Sequence, residues 1–356
     1  MSALSDLAEQ VREANRTQTP LVLRGGGSKD FVGRSPHGEV LDLRGHAGIV
    51  AYEPTELVVT ARCGTTLSHL QAELAARGQW LAFEPPSFGE HATVGGMVAA
   101  GLAGPARAAA GAVRDFVLGV RMMDAQGEVL EFGGQVMKNV AGFDLSRLQA
   151  GAMGILGPIL DVSLKVLPLP QASVTMQFVL GQAEALSQVN RWSARPLPIS
   201  ASLWHDGCLS LRLSGAAGAV AAAVASLGGD RLDTAAAAAL WLGVREQRHR
   251  FFQAEAPLWR LSVPSTAPVF DLAGDTIFEW GGAQRWWHSA PGDDATERVR
   301  ALAQTVGGHA TLFRGGDRAG SVFQPLSPAT RTLHERLKDT LDPARIFNRG
   351  RMYADF

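Results

Sequence analysis

The sequence predicts an α+β chain of two domains, on three observations. Its 356 residues exceed what one hydrophobic core commonly organises and are ample for two. In the first half, short apolar runs are separated by glycine and proline, with glycine clusters at Gly25-Gly26-Gly27 and Gly95-Gly96. In the second half the order strand, helix, strand, strand, helix occurs twice. That order suggests ferredoxin-like β-α-β-β-α units in one antiparallel sheet with helices on a face. Pro168-Leu169-Pro170 punctuates the change of rhythm. The domains are therefore read as 1–170 and 171–325, followed by a C-terminal helix and tail, 326–356.

Taken in order, residues 1–18 read as an amphipathic helix with Leu4, Leu7, Ala8 and Val11 on one face. Asp6, Glu9 and Glu13 give this segment charge and no apolar core, which excludes a signal peptide. A strand follows Pro20 and runs into the triple glycine. Residues 40–43, 49–52 and 57–62 read as further strands. Residues 66–78 form a helix, with Thr66 as N-cap and Gly78 as terminator. A hairpin pairs 116–123 with 129–132 across Asp124-Ala125-Gln126-Gly127, and 160–167 is the last strand of this half.

The second half begins with a strand at 174–180 and a helix at 184–193. A hairpin of 199–204 with 209–213 turns at Asp206-Gly207, and an Ala-rich helix covers 216–227. After a polar helix at 234–253 the order recurs: strand 259–263, a short helical stretch, a hairpin of 277–280 with 284–288, helix 297–306 and strand 310–314. A final helix, 328–340, ends before Asp342-Pro343.

Composition narrows the function classes. A net charge of −1 gives no basic footprint for nucleic acid and no polybasic stretch for anionic lipid. The two cysteines, Cys63 and Cys208, are far apart without a C-x-x-C. This chain alone therefore holds no iron–sulfur cluster, and a reducing cytosol is the simplest setting. The most apolar window, 94–113, is too short for a membrane span and is broken by Pro105, Arg107 and Gly111. Seven of the eight tryptophans fall in the second domain. Most are expected in its core. Adjacent strand residues face opposite ways, so one of Trp286 and Trp287 is expected to point outward toward a partner.

Leu21-Val22-Leu23-Arg24-Gly25-Gly26-Gly27-Ser28-Lys29 carries the most chemistry. Consecutive glycines let successive backbone N–H groups turn inward and make a nest for pyrophosphate. Thr93-Val94-Gly95-Gly96 reads as a second nest, so that one long phosphate ligand would be gripped from two sides. Ser28 and Lys29 suit phosphate oxygens. Neither a Walker A string nor G-x-G-x-x-G is present, which removes support for a P-loop or a nicotinamide Rossmann domain. Gly151-Ala152-Met153-Gly154-Ile155-Leu156-Gly157 has glycines every third residue, the wrong spacing for either.

Four ordered segments carry a resemblance. They are the triple-glycine loop; Pro85-Pro86 with Thr93-Val94-Gly95-Gly96 through Ala99 and Gly101; Gly111-Ala112-Val113-Arg114-Asp115-Phe116-Val117-Leu118-Gly119; and Met137-Lys138-Asn139-Val140-Ala141-Gly142-Phe143-Asp144-Leu145. Together they resemble the FAD-binding domain of the vanillyl-alcohol oxidase and p-cresol methylhydroxylase (PCMH) superfamily, which is built of two α+β subdomains. Within it, the chain is similar over nearly its whole length to the smaller flavoprotein subunit of bacterial glycolate oxidases.

The resemblance implies a PCMH-type domain under an antiparallel-sheet cap, with the C-terminal tail returning toward the FAD domain. FAD would be held by Arg24, Gly25, Gly26, Gly27, Ser28 and Lys29, and by Pro85, Pro86, Thr93, Gly95, Gly96, Ala99 and Gly101. Further contacts would come from Arg107, Gly111, Arg114, Asp115, Lys138, Asn139, Gly154 and Ile155. Arg107 and Arg114 would meet a phosphate or an adenine edge; the other reading of Arg114 is a local ion pair with Asp115. Some relatives tether FAD through a histidine where this chain has Ser28, which implies non-covalent FAD. The resemblance also implies a larger FAD-binding subunit and an iron–sulfur subunit as partners. Glycolate, and D-lactate with it, would be oxidised to the 2-oxo acid, in a cytoplasmic complex that meets the inner membrane only indirectly.

Catalytic signals are sparse. Relatives carry G-H-x-G-D-G-N-x-H, often with a metal, whereas Gly308-His309-Ala310-Thr311 keeps one histidine. No metal is expected. The catalytic candidates are Lys138, which would stabilise anionic reduced flavin, and His288 and His309 as bases. Three readings stay open: an electron-relaying FAD subunit of the complex, a self-sufficient FAD-dependent 2-hydroxy-acid dehydrogenase, and a non-redox scaffold. The glycine loops weigh against the scaffold.

Overall fold

The computed structural model describes residues 3–134 and 144–356. Helix Ala3–Thr17 buries Leu7, Ala8, Val11 and Ala14 on one stripe. It leads to strand Leu21–Arg24, which pairs in parallel with Glu39–Asp42. The triple-glycine loop thus leaves the end of a two-stranded ladder.

Beside it lies a five-stranded antiparallel sheet in the order Ile49–Glu53, Val58–Arg62, Ile159–Lys165, Val117–Met123, Val129–Gly133. Its central strand, Ile159–Lys165, is buried at every position but the last. Helix Leu67–Ala75 is capped by the Thr66 side chain, which accepts the His69 N–H, and packs Leu67, Leu70 and Leu74 on this core.

The second half forms one eight-stranded antiparallel sheet. Its order is Asp230–Arg231, Ala172–Val179, Cys208–Gly215, Ile199–His205, Thr276–Glu279, Gln284–His288, Leu258–Ser262, His309–Arg314. With the strands of each unit numbered in chain order, this is 4-1-3-2 followed by 2-3-1-4. Two ferredoxin-like units therefore meet through their second strands, Ile199–His205 against Thr276–Glu279. Helices Gln182–Ser193 and Ala217–Leu227 cover one face of the first unit, and Thr296–Gln304 covers the same face of the second.

The opposite face is not open. Ile277, Trp286 and Phe313 pack there against Trp241, Val244, Phe251 and Phe252, and against Val32, Leu102 and Met153 of the first domain. The expected outward tryptophan is accordingly absent: Trp286 is 4% and Trp287 3% exposed. Strand alternation does send them to opposite faces, but both faces of this sheet are covered.

Two local expectations also change. The crossing from Leu258–Ser262 to Thr276–Glu279 contains no helix; Pro264, Pro268 and Gly274 interrupt it. The helix expected over 234–253 stops at Arg245, because Gln247 takes a left-handed conformation at φ 51°, and a 3-10 turn, Arg250–Gln253, follows.

Helix Pro328–Leu341 carries the chain back to the first strand, where Phe347 bridges Leu21. Lys338 on this helix is fully buried. Its Nζ donates to Asp342 Oδ2 at 2.6 Å and to the carbonyls of Ile155 and Phe347 at 2.6 and 2.9 Å. Among the described residues, no helix is long and apolar enough to cross a membrane.

Candidate cofactor site

A cleft of about 540 Å³ opens where the triple-glycine loop, helix Val94–Ala100, the segment around Gly154 and the C-terminal tail converge. The loop begins at Arg24, whose carbonyl accepts the Leu43 N–H at 2.9 Å. A Cβ at Gly25 would strike Thr93 Oγ1, and one at Gly26 would strike the His91 carbonyl. Gly27 turns at φ +72°. Among the described residues, none accepts a hydrogen bond from the backbone N–H of Gly26, Gly27, Ser28 or Lys29, and all four residues line the cleft. Four successive unused donors at a cavity wall form an anion nest.

The second glycine cluster is not a nest. The Gly95 N–H is spent on the Cys63 carbonyl at 2.8 Å, and the Gly96 N–H on the capping Thr93 Oγ1 at 3.2 Å. A Cβ on Gly95 would come within 2.6 Å of the Cys63 Cβ. These glycines permit close packing beneath the first loop, so of the two glycine clusters only the first leaves its N–H donors unused at the cleft. Thr93, Gly95, Gly96 and Ala99 form its wall, with Gly154 facing them.

The electrostatics favour an anion. Arg24, Lys29, Arg318 and Arg351 line the cleft, with Asp30 as the acidic counterpart, held 3.0 Å from Arg24. Burial pushes Lys29 down to about 8, opposed by the charge of Glu246. Its Nζ lies 3.3 Å from Ser28 Oγ and donates to the Ser87 carbonyl at 3.2 Å. Arg318 and Arg351 donate to the carbonyls of the 29–34 segment and fix its path. Asn348 accepts the Leu23 N–H at 2.8 Å and donates to the Met153 carbonyl at 2.7 Å. Sequence reasoning missed Arg318, Asn348 and Arg351, which reach the cleft only through the returning tail and the cap.

Other predicted positions lie outside this cleft. Gly101 is the left-handed cap of helix Val94–Ala100, and Ile155 belongs to the core. Pro85 is buried beside the cap, and Pro86 lines a second, smaller cavity. Arg107 stacks over Trp280 at 4.5 Å. Asp115 accepts the Ala112 N–H at 2.8 Å beside Gly111, with Arg114 3.8 Å from its carboxylate. Lys138 and Asn139 fall outside the described residues.

His288 and His309 are not brought together. They pair with Leu258 and Ser262, at opposite ends of one strand, which sets them roughly 13 Å apart along it. Both ring nitrogens of His288 face backbone carbonyls, of Phe251 at 3.0 Å and Ala256 at 3.3 Å. His309 is exposed at the sheet edge. Neither lines the cleft. Among the described residues, no cluster of His, Cys, Asp and Glu offers a metal site.

The two domains meet along a polar seam. Glu84 forms a bidentate pair with Arg212 at 2.8 and 2.9 Å, and Glu246 accepts the N–H groups of Ser87 and Phe88. Between them sits the second cavity, of about 30 Å³, lined in part by Phe88, Arg260, Glu279, Gln284, Trp286 and Phe313. Glu279 accepts from Trp286 Nε1 at 2.7 Å and Gln284 Nε2 at 3.1 Å. Burial pushes its carboxyl up to about 7 against those two bonds.

Comparisons with known proteins agree with this geometry. Residues 2–133 match the family model described as an FAD binding domain. The chain is 49% identical to "Glycolate oxidase subunit GlcE" of Escherichia coli (strain K12), covering 98% of this chain and 97% of that protein. It is 28% identical to "Glycolate oxidase subunit GlcD" of Bacillus subtilis (strain 168), over 48% of this chain and 37% of the relative. A solved alkyldihydroxyacetonephosphate synthase superposes with a TM-score of 0.68, at 15% identity, over 98% of this chain and 74% of the synthase. That last likeness concerns the fold. The nest, the glycines without room for a Cβ and the cationic rim fit FAD.

Proposed function

The chain belongs to the family of GlcE-type glycolate oxidase subunits, and on that premise we propose how it works within such a complex. It holds FAD by non-covalent contacts, and its electrons leave through an iron–sulfur partner chain. When bound, the flavin supplies a two-electron acceptor for the C–H bond of a 2-hydroxy acid. The chain's own residues bind and orient it. The donors of Gly26 to Lys29 take the pyrophosphate, Lys29 adds a cation, and Asn348 and Arg351 hold the tail and loop around the cleft. The carrying observation is the run of four unused N–H donors at the cleft wall. A scaffold without cofactor gains nothing from that arrangement. Ser28 stands within the run and offers no imidazole for a tether.

Electron exit through another chain follows from the cysteines: Cys63 is buried, and Cys208 is remote from it in sequence. The larger flavin subunit supplies the main substrate chemistry in this reading, with glycolate, and D-lactate beside it, as substrate. The test is the anaerobic visible spectrum of the purified chain before and after glycolate. A flavin spectrum that stays oxidised alone, and bleaches when the partner subunits are added, supports the relay. Rapid bleaching of the isolated chain refutes it. Acid precipitation should leave the flavin in the supernatant; flavin in the pellet would refute non-covalent binding.

A further inference from the structure

A further concavity lies beside the cofactor cleft, and its charge is one-sided. It measures about 450 Å³ and forms where the 34–37 loop of the first domain, the 318–319 turn of the cap and the C-terminal tail meet. Arg34, His37, Arg318 and Arg349 line it, and no carboxylate does. Every Asp and Glu of the chain is among the described residues, so none is left over to neutralise it. The acidic neighbours along the chain are engaged elsewhere. Asp30, whose charge reaches Arg318, pairs with Arg24; Asp355 pairs with Arg331; and Asp317 accepts the Ala319 N–H.

The four side chains divide into two pairs. Arg34 donates to the carbonyls of Gly350 and Gly320, and Arg318 to those of Gly33 and Asp30. These two fix the walls and keep their full charge, because a carbonyl neutralises none of it. Arg349 and His37 are exposed, and among the described residues no hydrogen bond or ion pair holds either side chain. A guanidinium fork with free donors, beside walls that carry positive charge, is arranged for carboxylates.

The lining does not suit an organic small molecule. Pockets for such ligands are walled mainly by large apolar and aromatic side chains, whereas the apolar residues here are Pro20, Ala319 and Ala354. Nor is the hollow a second phosphate nest. The N–H groups of Arg34, Ala319 and Gly350 are spent on the Arg351 carbonyl, the Asp317 carboxylate and the Phe356 carbonyl. Open, polar and cationic through side chains alone, it matches the rim of a protein–protein interface, where complementary charge selects the partner. Its place is also telling. Ser35 and Arg318 line both the hollow and the cleft, and Arg34 follows Lys29 of the nest by five residues, at most about 18 Å of chain.

We propose that this hollow docks an acidic segment of a partner chain beside the cofactor cleft. The proposal deepens the partner-chain reading above and rests on it, since a chain that takes electrons from the cofactor must seat near it. The FAD-loaded full chain is titrated with a fluorescein-labelled hexaglutamate peptide, followed by anisotropy, at about 50 mM and about 300 mM salt. Binding should be saturable at low salt and weaken by roughly 10-fold or more at the higher. The double variant His37→Glu, Arg349→Glu should lose roughly 10-fold or more in affinity. It should keep full FAD content, because neither residue lines the cleft. Arg195→Glu reverses an exposed charge just beyond helix Gln182–Ser193 on the cap and should bind as wild type does. No saturable binding, equal affinity in wild type and the double variant, or an equal loss in Arg195→Glu overturns the proposal. So does displacement of the peptide by an equal concentration of inorganic phosphate, which would make the hollow a small-anion site. Purified with its partner subunits, the double variant should release them on gel filtration at lower salt than wild type; release at the same salt also overturns the proposal. If wild type holds no partner, the partner-chain reading fails, and the peptide titration still decides the surface.

Discussion

Replacing Lys338 by Met should loosen the tail that closes the cofactor cleft. Lys338 and Asp342 both have fully buried side chains, and three hydrogen bonds of 2.6 to 2.9 Å leave the ammonium. Methionine fills most of the volume but leaves the Ile155 and Phe347 carbonyls unpaired and the carboxylate without its counter-charge. Breaking a buried pair from one side costs about 3–5 kcal/mol. Asp342 also accepts the N–H groups of Ile346 and Phe347 at 2.9 and 2.8 Å, which places the expected loss near the lower end, about 3 kcal/mol. Urea denaturation of the flavin-free chain measures it. Because Phe347 and Asn348 fix Leu21 and Leu23 beside the loop, FAD affinity should fall as well. The double variant Lys338→Met, Asp342→Leu should recover part of the stability, since no buried charge remains. A loss below about 0.5 kcal/mol in the single variant, with FAD affinity unchanged, would refute the argument that this pair anchors the tail.

Three further outcomes follow from the same geometry. Gly26→Ala forces a Cβ into the His91 carbonyl and should abolish FAD retention on gel filtration; retention at wild-type level would count against the nest. Gly95→Ala brings its Cβ first against the Cys63 side chain and backbone, so it should cost roughly 1–3 kcal/mol of stability while the folded fraction still binds FAD. Glu279 titrates near 7 in the folded chain against 4.5 in its ordinary state, so the native state keeps a proton that the unfolded chain releases between those values. Stability should therefore fall as pH rises from about 4.5 to 7, by roughly 3 kcal/mol at most. Glu279→Gln should flatten that slope in denaturation series, and an unchanged slope would show that Glu279 is not its source.

The legible parts of this molecule were local in sequence. The triple glycine announces its nest because the donors are consecutive, and the doubled β-α-β-β-α order announces the sheet because each unit is built from neighbours. What escaped was long-range. Arg318, Asn348 and Arg351 join the cleft from chain positions some three hundred residues beyond the loop they hold, and no spacing rule connects them. Trp286 was misread because a sheet's alternation gives the direction of a side chain and says nothing of what covers each face. The Thr93-Val94-Gly95-Gly96 cluster resembles a nest in sequence, yet its donors are already spent. Glycine there answers to Cys63. Only the hydrogen-bond accounting separates the two kinds of glycine.

Lys29 links the cleft to the seam, and its titration should be visible in cofactor binding. Its ammonium lies beside Ser28 in the nest and also meets the Ser87 carbonyl, whose own N–H is held by Glu246. Burial lowers Lys29 to about 8, and Glu246 is the group that opposes the fall. An anionic pyrophosphate favours the charged form, so the contribution of Lys29 to FAD affinity is complete below about pH 8 and is lost as pH rises through it. FAD dissociation measured from pH 6.5 to 9.5 should weaken on the alkaline side by roughly 10-fold, the scale of one charge-assisted hydrogen bond. Lys29→Met should bind more weakly than wild type below about pH 8, converge with it on the alkaline side and lose the inflection. Glu246→Gln removes the opposing charge and should move the inflection to lower pH. A profile identical in wild type and Lys29→Met would mean that the ammonium serves the seam alone, and that the backbone donors hold the cofactor without it.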